Sequence, residues 1–375
     1  MREYFTVALV AAVVTYLLGV FAREIALRTG AVAKVRDRDV HAVPIPYFGG
    51  IAILGGLVAA YFVAKRLPFL SLSDDVVFRD AGVVLIAGGL ICAVGVLDDL
   101  IELDAITKFA GQVLAAGFLV AFDVQYYSFR LPGDVQFSPD PTQLAIVSVV
   151  VVVATVNAVN FVDGLDGLAA GVVAIGAVAF FLFSYKLADA NGETLAITAA
   201  LLTAALGGAC AGFLPHNFFP ARMFMGDSGA MLIGLVLAGS ALTLTGQFAT
   251  VDMSLGAGGT EASLLPVLLP IILPISILVV PFADLVLAVV RRTRAGRSPF
   301  APDKEHLHHR LLEIGHSHRR AVLVMWLWAG LIAFGGVLAS LYVGRVTTII
   351  LVVWVLLTVG LTFVLPRLQR PGAQV

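Results

Sequence analysis

The sequence predicts an all-α polytopic membrane protein with about eleven transmembrane helices. Apolar residues make up 59% of the chain and charged residues only 13%, about half of the quarter that is usual in soluble domains. A chain of 375 residues cannot hide this much apolar surface in one core, so a lipid bilayer is its expected surroundings. The net charge of −1 provides no overall attraction to nucleic acid, and none is predicted as a partner.

Eleven apolar runs approach the roughly 20 residues that a membrane-crossing helix needs. They lie near residues 4–27, 48–65, 80–97, 108–123, 142–160, 167–186, 195–215, 228–246, 264–290, 321–342 and 346–366. The fourth run is short. The ninth contains Pro266, Pro270, Pro274 and Pro281. Because proline removes a backbone donor and kinks a helix, the ninth span is expected to bend and to open an apolar groove toward lipid.

The basic residues predict the orientation, because Lys and Arg favour cytoplasmic loops. Assigning successive loops alternately to two sides places 17 of the 24 basic residues on one side and 7 on the other. The richer side is predicted to be cytoplasmic, with the amino terminus outside and the carboxyl terminus inside. The cytoplasmic loops are then residues about 28–47, 98–108, 161–167, 216–227 and 291–320.

The opposite side carries little chemistry. Residues 125–137 contain an aromatic stretch followed by Pro132-Gly133-Asp134, which predicts a small extracytoplasmic β-hairpin. No periodic repeat and no separate soluble segment is evident. Residues 1–375 are therefore predicted to form a single integral membrane domain.

The first polar cluster is Asp98-Asp99, at the end of the third run and shortly before Lys108. Adjacent carboxylates repel each other unless a cation or a proton lies between them. Two interpretations stay open for this pair: a solvated helix end, or a site for a divalent cation or a general base.

The second cluster follows the fifth run. Its members are Asn157, Asn160, Asp163, Gly164, Asp166 and Gly167. Two of these are asparagines three residues apart, which share one helix face. Polar side chains so close to an apolar run are costly in a membrane and indicate function. Capping of the next helix explains one of the aspartates, but hardly the whole set.

The third cluster, Gly226-Asp227-Ser228-Gly229, opens the eighth run. Asp227 or Ser228 would serve as an ordinary N-cap. A helix N-terminus also attracts phosphate, and an aspartate there can hold a bridging metal ion. The fourth cluster contains His306, His308, His309 and Arg310. No second metal-binding pair with zinc spacing is near it, so an anionic diphosphate is favoured over zinc.

A fifth, weaker feature is His41-x-x-Pro44-x-Pro46-x-x-Gly49-Gly50, which enters the second run. By itself it needs no function. Taken together and in this order, the five motifs resemble those of the polyprenyl-phosphate N-acetylhexosamine-1-phosphate transferases of glycosyltransferase family 4. The matching motifs extend from about residue 41 to 310, which is most of the chain.

The resemblance implies a substrate pair, a metal ion and residue roles. UDP-GlcNAc would be the donor, an undecaprenyl or decaprenyl phosphate the acceptor, and Mg²⁺, or Mn²⁺ in its place, the cofactor. Asp227 and Asn160 would bind the metal, Asp98 would assist attack by the acceptor as a candidate base, and Asp99 would support the metal or the acceptor. The residues expected to contact substrate are Lys108, Asn157, Asp163, Gly164, Asp166, Asn217, Phe224, His306, His308, His309 and Arg310.

Several alternatives stay open beside this interpretation. A related activity is phospho-MurNAc-pentapeptide transfer in peptidoglycan synthesis, but Leu307 interrupts the three adjacent histidines more frequent in that branch. An ion-coupled transporter would place charges near the middle of the bilayer, often in repeated halves, and a non-catalytic scaffold would not need the complete acidic set. The expected location is the cell (inner or plasma) membrane, in contact with lipid. A one-step and a two-step reaction, and a monomer and a homodimer, are all compatible with the sequence.

Overall fold

The computed structural model describes residues 1–33, 44–127, 129–131, 135–137, 139–191, 194–245, 293–294, 316–342 and 344–364. Its helices are α1 (Arg2–Thr29), α2 (Gly49–Ala64), α3 (Asp75–Ile101), α4 (Ala105–Ala121), α5 (Pro141–Val162), α6 (Leu168–Asn191), α7 (Thr194–Asn217), α8 (Gly226–Thr245), α9 (His318–Leu341) and α10 (Arg345–Val359). A 3-10 turn at Leu70–Leu72 precedes α3, and a π-helical turn at Gly360–Val364 continues α10.

The helices confirm the all-α membrane architecture predicted from the apolar runs. Within the described residues, eight helices are long and apolar enough to cross a bilayer, and two shorter apolar helices, α2 and α4, accompany them. Each overlaps one predicted run. The ninth run, residues 264–290, lies outside the described residues, so the total of eleven stays a prediction.

One predicted boundary was wrong. Residues 98–108 were expected to form a cytoplasmic loop, but α3 continues to Ile101 and α4 begins at Ala105. Only three residues therefore connect the two helices. The reason is local capping: Glu102 adopts a left-handed conformation that ends α3, and the Asp104 side chain accepts hydrogen bonds from the N–H groups of Ile106 and Thr107, which begins α4.

Helix α8 forms the centre of the bundle. It packs against α2, α3, α5, α6 and α7, and nearly all of its residues are buried. Small residues are frequent along it, and they allow neighbouring backbones to approach closely in a membrane. By contrast, α1 and α10 lie at the periphery and expose many large apolar side chains, as lipid-facing helices do.

Three glycines bring the backbones of α2, α3 and α8 together. A Cβ on Gly95 of α3 would lie 2.3 Å from the Cα of Ser228, and a Cβ on Gly50 of α2 would lie 2.4 Å from the carbonyl carbon of Ser228. On α8, a Cβ on Gly229 would lie 3.1 Å from the backbone nitrogen of Gly50. The first turn of α8 is thereby wedged between the other two helices.

The polar residues collect at one end of the bundle, called here the polar end. It comprises Arg23, Pro46–Gly50, Asp98–Lys108, Asn160–Gly167 and Asn217–Asp227. At the opposite end, the Glu3 carboxylate accepts hydrogen bonds from the N–H groups of Phe69 and Leu70, both at 2.8 Å. The connection between α2 and α3 thus lies at the end opposite to the connections that follow α3, α5 and α7, in agreement with the assignment of loops to two sides.

Two short strands lie in the segment for which a hairpin is predicted. Strand β1 (Phe129–Leu131) pairs antiparallel with β2 (Val135–Phe137), with Arg130 opposite Gln136. They connect α4 to α5, away from the polar end.

We expect Gly95→Ala to destabilise the protein by about 1–3 kcal/mol, because the added methyl group meets backbone atoms of α8 that cannot move independently. Thermal unfolding in detergent measures the effect. Gly89→Ala in the same helix is the matched control, since no atom lies within 4 Å of its added Cβ, and it should be neutral or slightly stabilising. Equal melting temperatures for both variants would contradict the close α3–α8 contact.

Candidate active site

A lysine between two carboxylates forms the centre of the polar end. The Nζ of Lys108 lies 3.2 Å from Oδ2 of Asp98 and also contacts Oδ2 of Asp227. All three side chains are mostly buried: the exposed fraction is 19% for Lys108, 12% for Asp98 and 27% for Asp227. Because buried carboxylates are costly without a positive partner, the ammonium group offsets the charge of this pair.

Asn160 adds a fourth helix to the cluster. Its Nδ2 donates a hydrogen bond to Oδ1 of Asp227 at 2.5 Å. Asp98, Lys108, Asn160 and Asp227 lie on α3, α4, α5 and α8, respectively, so the cluster joins four helices. The Asp98 carboxylate is also held by the N–H of Leu103, which donates to Oδ1 at 2.8 Å.

Asp99 acts on the first turn of α8. Its Oδ1 accepts a hydrogen bond from the N–H of Asp227 at 2.8 Å, and its Oδ2 accepts a longer one from Ser228 at 3.4 Å. Gly226 has a positive φ of 71°, and a Cβ there would lie 2.5 Å from the Asp99 carboxylate. Asp99 therefore holds the first turn of α8, which carries Asp227, and its expected role in supporting the metal or the acceptor stays a prediction.

The side chain of Asn157 faces a residue that the sequence analysis did not identify. Its Nδ2 donates to Oε1 of Gln112 at 2.6 Å and to the carbonyl of Val153 at 2.8 Å. Gln112 lies four residues after Lys108, on the same face of α4. That spacing was the only available signal in the sequence, because Gln112 stands alone in an apolar run.

Asp166 and Asn217 join two loops of the polar end. Oδ2 of Asp166 accepts a hydrogen bond from the N–H of Ala221 at 2.9 Å. Oδ1 of Asn217 accepts one from the N–H of Gly167 at 3.0 Å, and its Nδ2 donates to the carbonyl of Met223 at 3.1 Å. Both side chains are buried, and these bonds hold the loop after α5 against the loop before α8.

The fifth motif also reaches this site. The N–H of Phe224 donates to the carbonyl of Pro46 at 2.9 Å, and the N–H of Gly49 donates to the carbonyl of Phe224 at 3.3 Å. The half-buried ring of Phe224 lies 6.2 Å from that of Tyr47, centroid to centroid. The segment before α2 is thus paired with the segment before α8. His41 lies outside the described residues.

Asp163 and Gly164 form the turn after α5, beside the central cluster. Gly164 is exposed and Asp163 partly so. Burial of the carboxyl, together with the negative charges of Asp227, Asp99 and Asp166, raises the pKa of Asp163 from 3.8 to about 7. Asp163 therefore keeps its proton to a higher pH than an ordinary aspartate.

The central cluster has the chemistry that a magnesium ion requires. Among the described residues, no group of three or more His, Cys, Asp or Glu side chains is close enough to hold a metal by itself. Mg²⁺, however, usually takes one or two carboxylates and completes its shell with water and substrate phosphates. Asp227, Asn160 and Asp98 offer such oxygen ligands, and the lysine ammonium shows that a cation is accommodated between the two carboxylates.

The remaining predicted site residues, His306, His308, His309 and Arg310, lie outside the described residues. Eleven predicted site residues are described. The structure brings four of them, those of the central cluster, into direct contact. Four others form hydrogen bonds that hold the central residues or the loops beside them, namely Asp99, Asn157, Asp166 and Asn217.

A bundle of membrane-spanning helices with a buried cluster of acidic, amide and lysine side chains at one end defines an integral membrane enzyme. The sequence model of glycosyl transferase family 4 matches residues 81–245, from α3 to the end of α8. The chain is 44% identical over 373 residues to the decaprenyl-phosphate N-acetylglucosaminephosphotransferase of Mycobacterium tuberculosis, covering 99% of this chain and 90% of the relative.

Two further relatives show the range of similarity. The decaprenyl-phosphate N-acetylglucosaminephosphotransferase of Mycolicibacterium smegmatis is 44% identical over 379 residues, covering 100% of this chain and 91% of the relative. The probable undecaprenyl-phosphate N-acetylglucosaminyl 1-phosphate transferase of Bacillus subtilis is 29% identical over 307 residues, covering 81% and 76%, respectively. The chain belongs to glycosyl transferase family 4, which confirms the resemblance found in the motifs.

We expect Asp163→Asn to change how stability depends on pH. In the wild type, the folded state keeps the Asp163 proton up to a pH of about 7, whereas the unfolded chain releases it near 3.8. Stability therefore falls as the pH rises between these values, and the loss persists above them. Asparagine removes that term. The melting temperature of the variant relative to wild type, measured in EDTA, should rise from about pH 4 to 7 and then level off; a constant difference would contradict the shift.

Proposed function

We propose that the protein transfers GlcNAc-1-phosphate from UDP-GlcNAc to a polyprenyl phosphate in a Mg²⁺-dependent reaction. The products are polyprenyl-diphosphate-GlcNAc and UMP. The observation that carries the proposal is the contact among Asp98, Lys108, Asn160 and Asp227, which come from four helices. The reaction would be the first membrane step in the synthesis of a cell-envelope polysaccharide.

The names of the relatives support the choice of substrates. Those cited from Mycobacterium tuberculosis and Mycolicibacterium smegmatis are named for N-acetylglucosamine phosphate and decaprenyl phosphate. The relative from Bacillus subtilis, which is less similar, is named for undecaprenyl phosphate. This pattern favours a GlcNAc-phosphate donor over a MurNAc-pentapeptide donor, and a decaprenyl over an undecaprenyl acceptor.

The reaction joins two anions, and the central cluster supplies what their approach needs. An oxygen of the acceptor phosphate attacks the β-phosphorus of UDP-GlcNAc and forms a new P–O bond. The bond from this phosphorus to the oxygen bridging the two donor phosphates breaks, and that oxygen leaves with UMP. Asp98 takes the proton of the acceptor phosphate when it carries one, and its orientation is fixed by the N–H of Leu103.

Lys108, Asn160 and Asp227 act on charge and position. Asp227 and Asn160 would hold Mg²⁺, which would supply positive charge to the diphosphate and lower the repulsion between donor and acceptor. Lys108, whose ammonium group lies between the two carboxylates, would contact the phosphates of the donor. Phe224, half-buried beside the first turn of α8, offers a ring on which uracil stacks.

The charge pattern supports a location of the polar end at the cytoplasmic face of the membrane. The polar end contains Arg23, Lys108 and Arg222, and basic residues favour the cytoplasmic side. UDP-sugars are water-soluble, so a donor site at the cytoplasmic face suits the substrate. The acceptor chain would lie in an apolar groove, for which the proline-containing run 264–290, outside the described residues, is the candidate.

A transporter is disfavoured by where the charges lie. The central carboxylates gather at one end of the bundle, beside the N-terminus of α8, and not near the middle of the spans. Vesicles containing the protein should therefore show UMP release without ion flux. Flux without UMP release would reverse this choice.

We expect Asp227→Ala to lower UMP release by about 10²–10³-fold or more, because it removes the carboxylate shared by Lys108 and Asn160. The assay uses purified protein in detergent, decaprenyl phosphate and labelled UDP-GlcNAc, with UDP-MurNAc-pentapeptide as the competing donor. EDTA should abolish the activity and Mg²⁺ should restore it. Asp75→Asn, an exposed carboxylate at the opposite end of α3, is the matched control and should retain full activity.

Three results of this assay would contradict the proposal. Substantial UMP release by a folded Asp227→Ala protein, or undiminished release in EDTA, would remove the metal assignment. A preference for UDP-MurNAc-pentapeptide would remove the donor assignment.

A two-step route through an acyl-phosphate on Asp98 gives the same products, but it predicts exchange of labelled UMP into UDP-GlcNAc without acceptor, which direct attack does not.

A further inference from the structure

A second layer of side chains lies one helical turn deeper than the central cluster. Gln112 follows Lys108 by four residues on α4, Asn157 precedes Asn160 by three on α5, and Met231 follows Asp227 by four on α8. Because α4 and α8 begin at the polar end and α5 ends there, each member of this layer lies further into the membrane. Helices α4, α5 and α8 therefore each contribute one residue to the central cluster and one to the second layer.

The second layer is held by reciprocal amide contacts. Nδ2 of Asn157 donates to Oε1 of Gln112 at 2.6 Å, and Nε2 of Gln112 donates to Oδ1 of Asn157 over a longer distance of 3.4 Å. Nε2 of Gln112 also lies 3.5 Å from the sulfur of Met231. The pair links α4 to α5, and its glutamine rests on α8.

Gln112 is unusual on its own helix. It is 1% exposed, and the buried residues that follow it on this face are Ala115, Ala116 and Leu119. A buried amide in a membrane span is costly without a partner, and an apolar residue would fill the same space at lower cost. Interhelical amide bonds are directional, so the pair specifies one rotation and one depth of α4 against α5.

Helix α4 needs such a restraint because it lies at the edge of the bundle. Among the described helices it packs mainly against α3 and α5, and its outer face exposes Ile106 and Leu114 at 81% and 74% of their surfaces. Apolar packing on one side permits small rotations, and a rotation of α4 would move Lys108 away from Asp227.

We propose that Gln112 is a positioning residue that, through its pair with Asn157, sets the rotation and depth of α4 so that Lys108 and Asn160 meet at Asp227. The kinetic test of this inference rests on the proposed function, whereas the chemical-labelling test does not. It assigns Asn157 to the support of the cluster, although the motif resemblance placed this residue among those that contact substrate.

The first test compares Gln112→Met with the exchanged pair Gln112→Asn/Asn157→Gln. Methionine keeps the length and volume of the side chain but makes no amide contact. We expect kcat to fall about tenfold or more, as for residues that orient metal ligands, and KM for UDP-GlcNAc to change by a smaller factor. The exchanged pair keeps the combined length of the two side chains, so it should recover most of kcat.

Thr155→Val is the matched control for removing a buried hydrogen bond. Thr155 lies on α5 and is 1% exposed, and its hydroxyl donates to a carbonyl of its own helix, that of Val151, at 2.8 Å. It should keep wild-type kcat. If Gln112→Met does not fold, Gln112→Met/Asn157→Leu removes both amides together and leaves neither without its partner. This variant should fold and still show the low kcat.

The second test does not need the enzyme to be active. Lys108, ion-paired and 19% exposed, should react slowly with acetic anhydride, as followed by mass spectrometry against the exposed Lys186. In Gln112→Met the ion pair loosens and acetylation of Lys108 should become several-fold faster. The exchanged pair should restore the slow rate, and Thr155→Val should not change it. No added metal is present in this measurement.

The outcomes separate this inference from the proposed function. Wild-type kcat and a wild-type acetylation rate in Gln112→Met would overturn the positioning role, as would a failure of the exchanged pair to recover either quantity. A wild-type protein that releases no UMP would overturn the proposed function, while the acetylation rates would still decide the role of Gln112.

Discussion

The organisation of this protein depends on compensating two buried carboxylates with one positive charge at the first turn of α8, the most buried of the described membrane-spanning helices. Asp227 stands where the N-terminus of α8 favours negative charge, and Asp98 faces it from α3. In a low-dielectric setting such a pair persists only with a cation between the two groups. Lys108 fulfils that need from α4, and Asn160 adds the fourth helix. A diphosphate and its metal ion would require the same charge arrangement, so the same residues would serve both folding and catalysis.

The rest of the bundle can be understood as support for this arrangement. Close backbone contacts at Gly50 and Gly95 fix the height of α8, and Asp99 fixes the direction of its first N–H groups. Asp166 and Asn217 tie together the loops on either side. These supports use backbone atoms as partners. They therefore hold the position of Asp227 through main-chain atoms, and its carboxylate keeps its contacts with Lys108 and Asn160.

The sequence predicted the membrane class and the composition of the site better than its geometry. Asp98, Asn160 and Asp227 stood out because polar groups beside apolar runs are costly and need a reason. Gln112 did not stand out, because one amide in an apolar helix gains meaning only from a partner 45 residues away. The importance of Gly95 could not be predicted either, since it depends on which backbone lies opposite this residue in the fold. The boundary between α3 and α4 was not predicted, because the charged residues between them suggested a longer loop. Capping by Asp104 and the left-handed conformation of Glu102 instead allow a connection of three residues.

The length of α4 has a consequence for how the acceptor arrives. With 17 residues the helix is about 25 Å long, shorter than the roughly 30 Å thickness of a hydrocarbon core. Because its first turn carries Lys108 beside the charged residues of the polar end, that turn is expected near the plane where acyl chains meet headgroups. A lipid-borne phosphate already travels in that plane and needs only lateral diffusion to arrive. Turnover should then follow the mole fraction of acceptor in the leaflet, a surface density, whereas the nucleotide sugar obeys its ordinary bulk concentration.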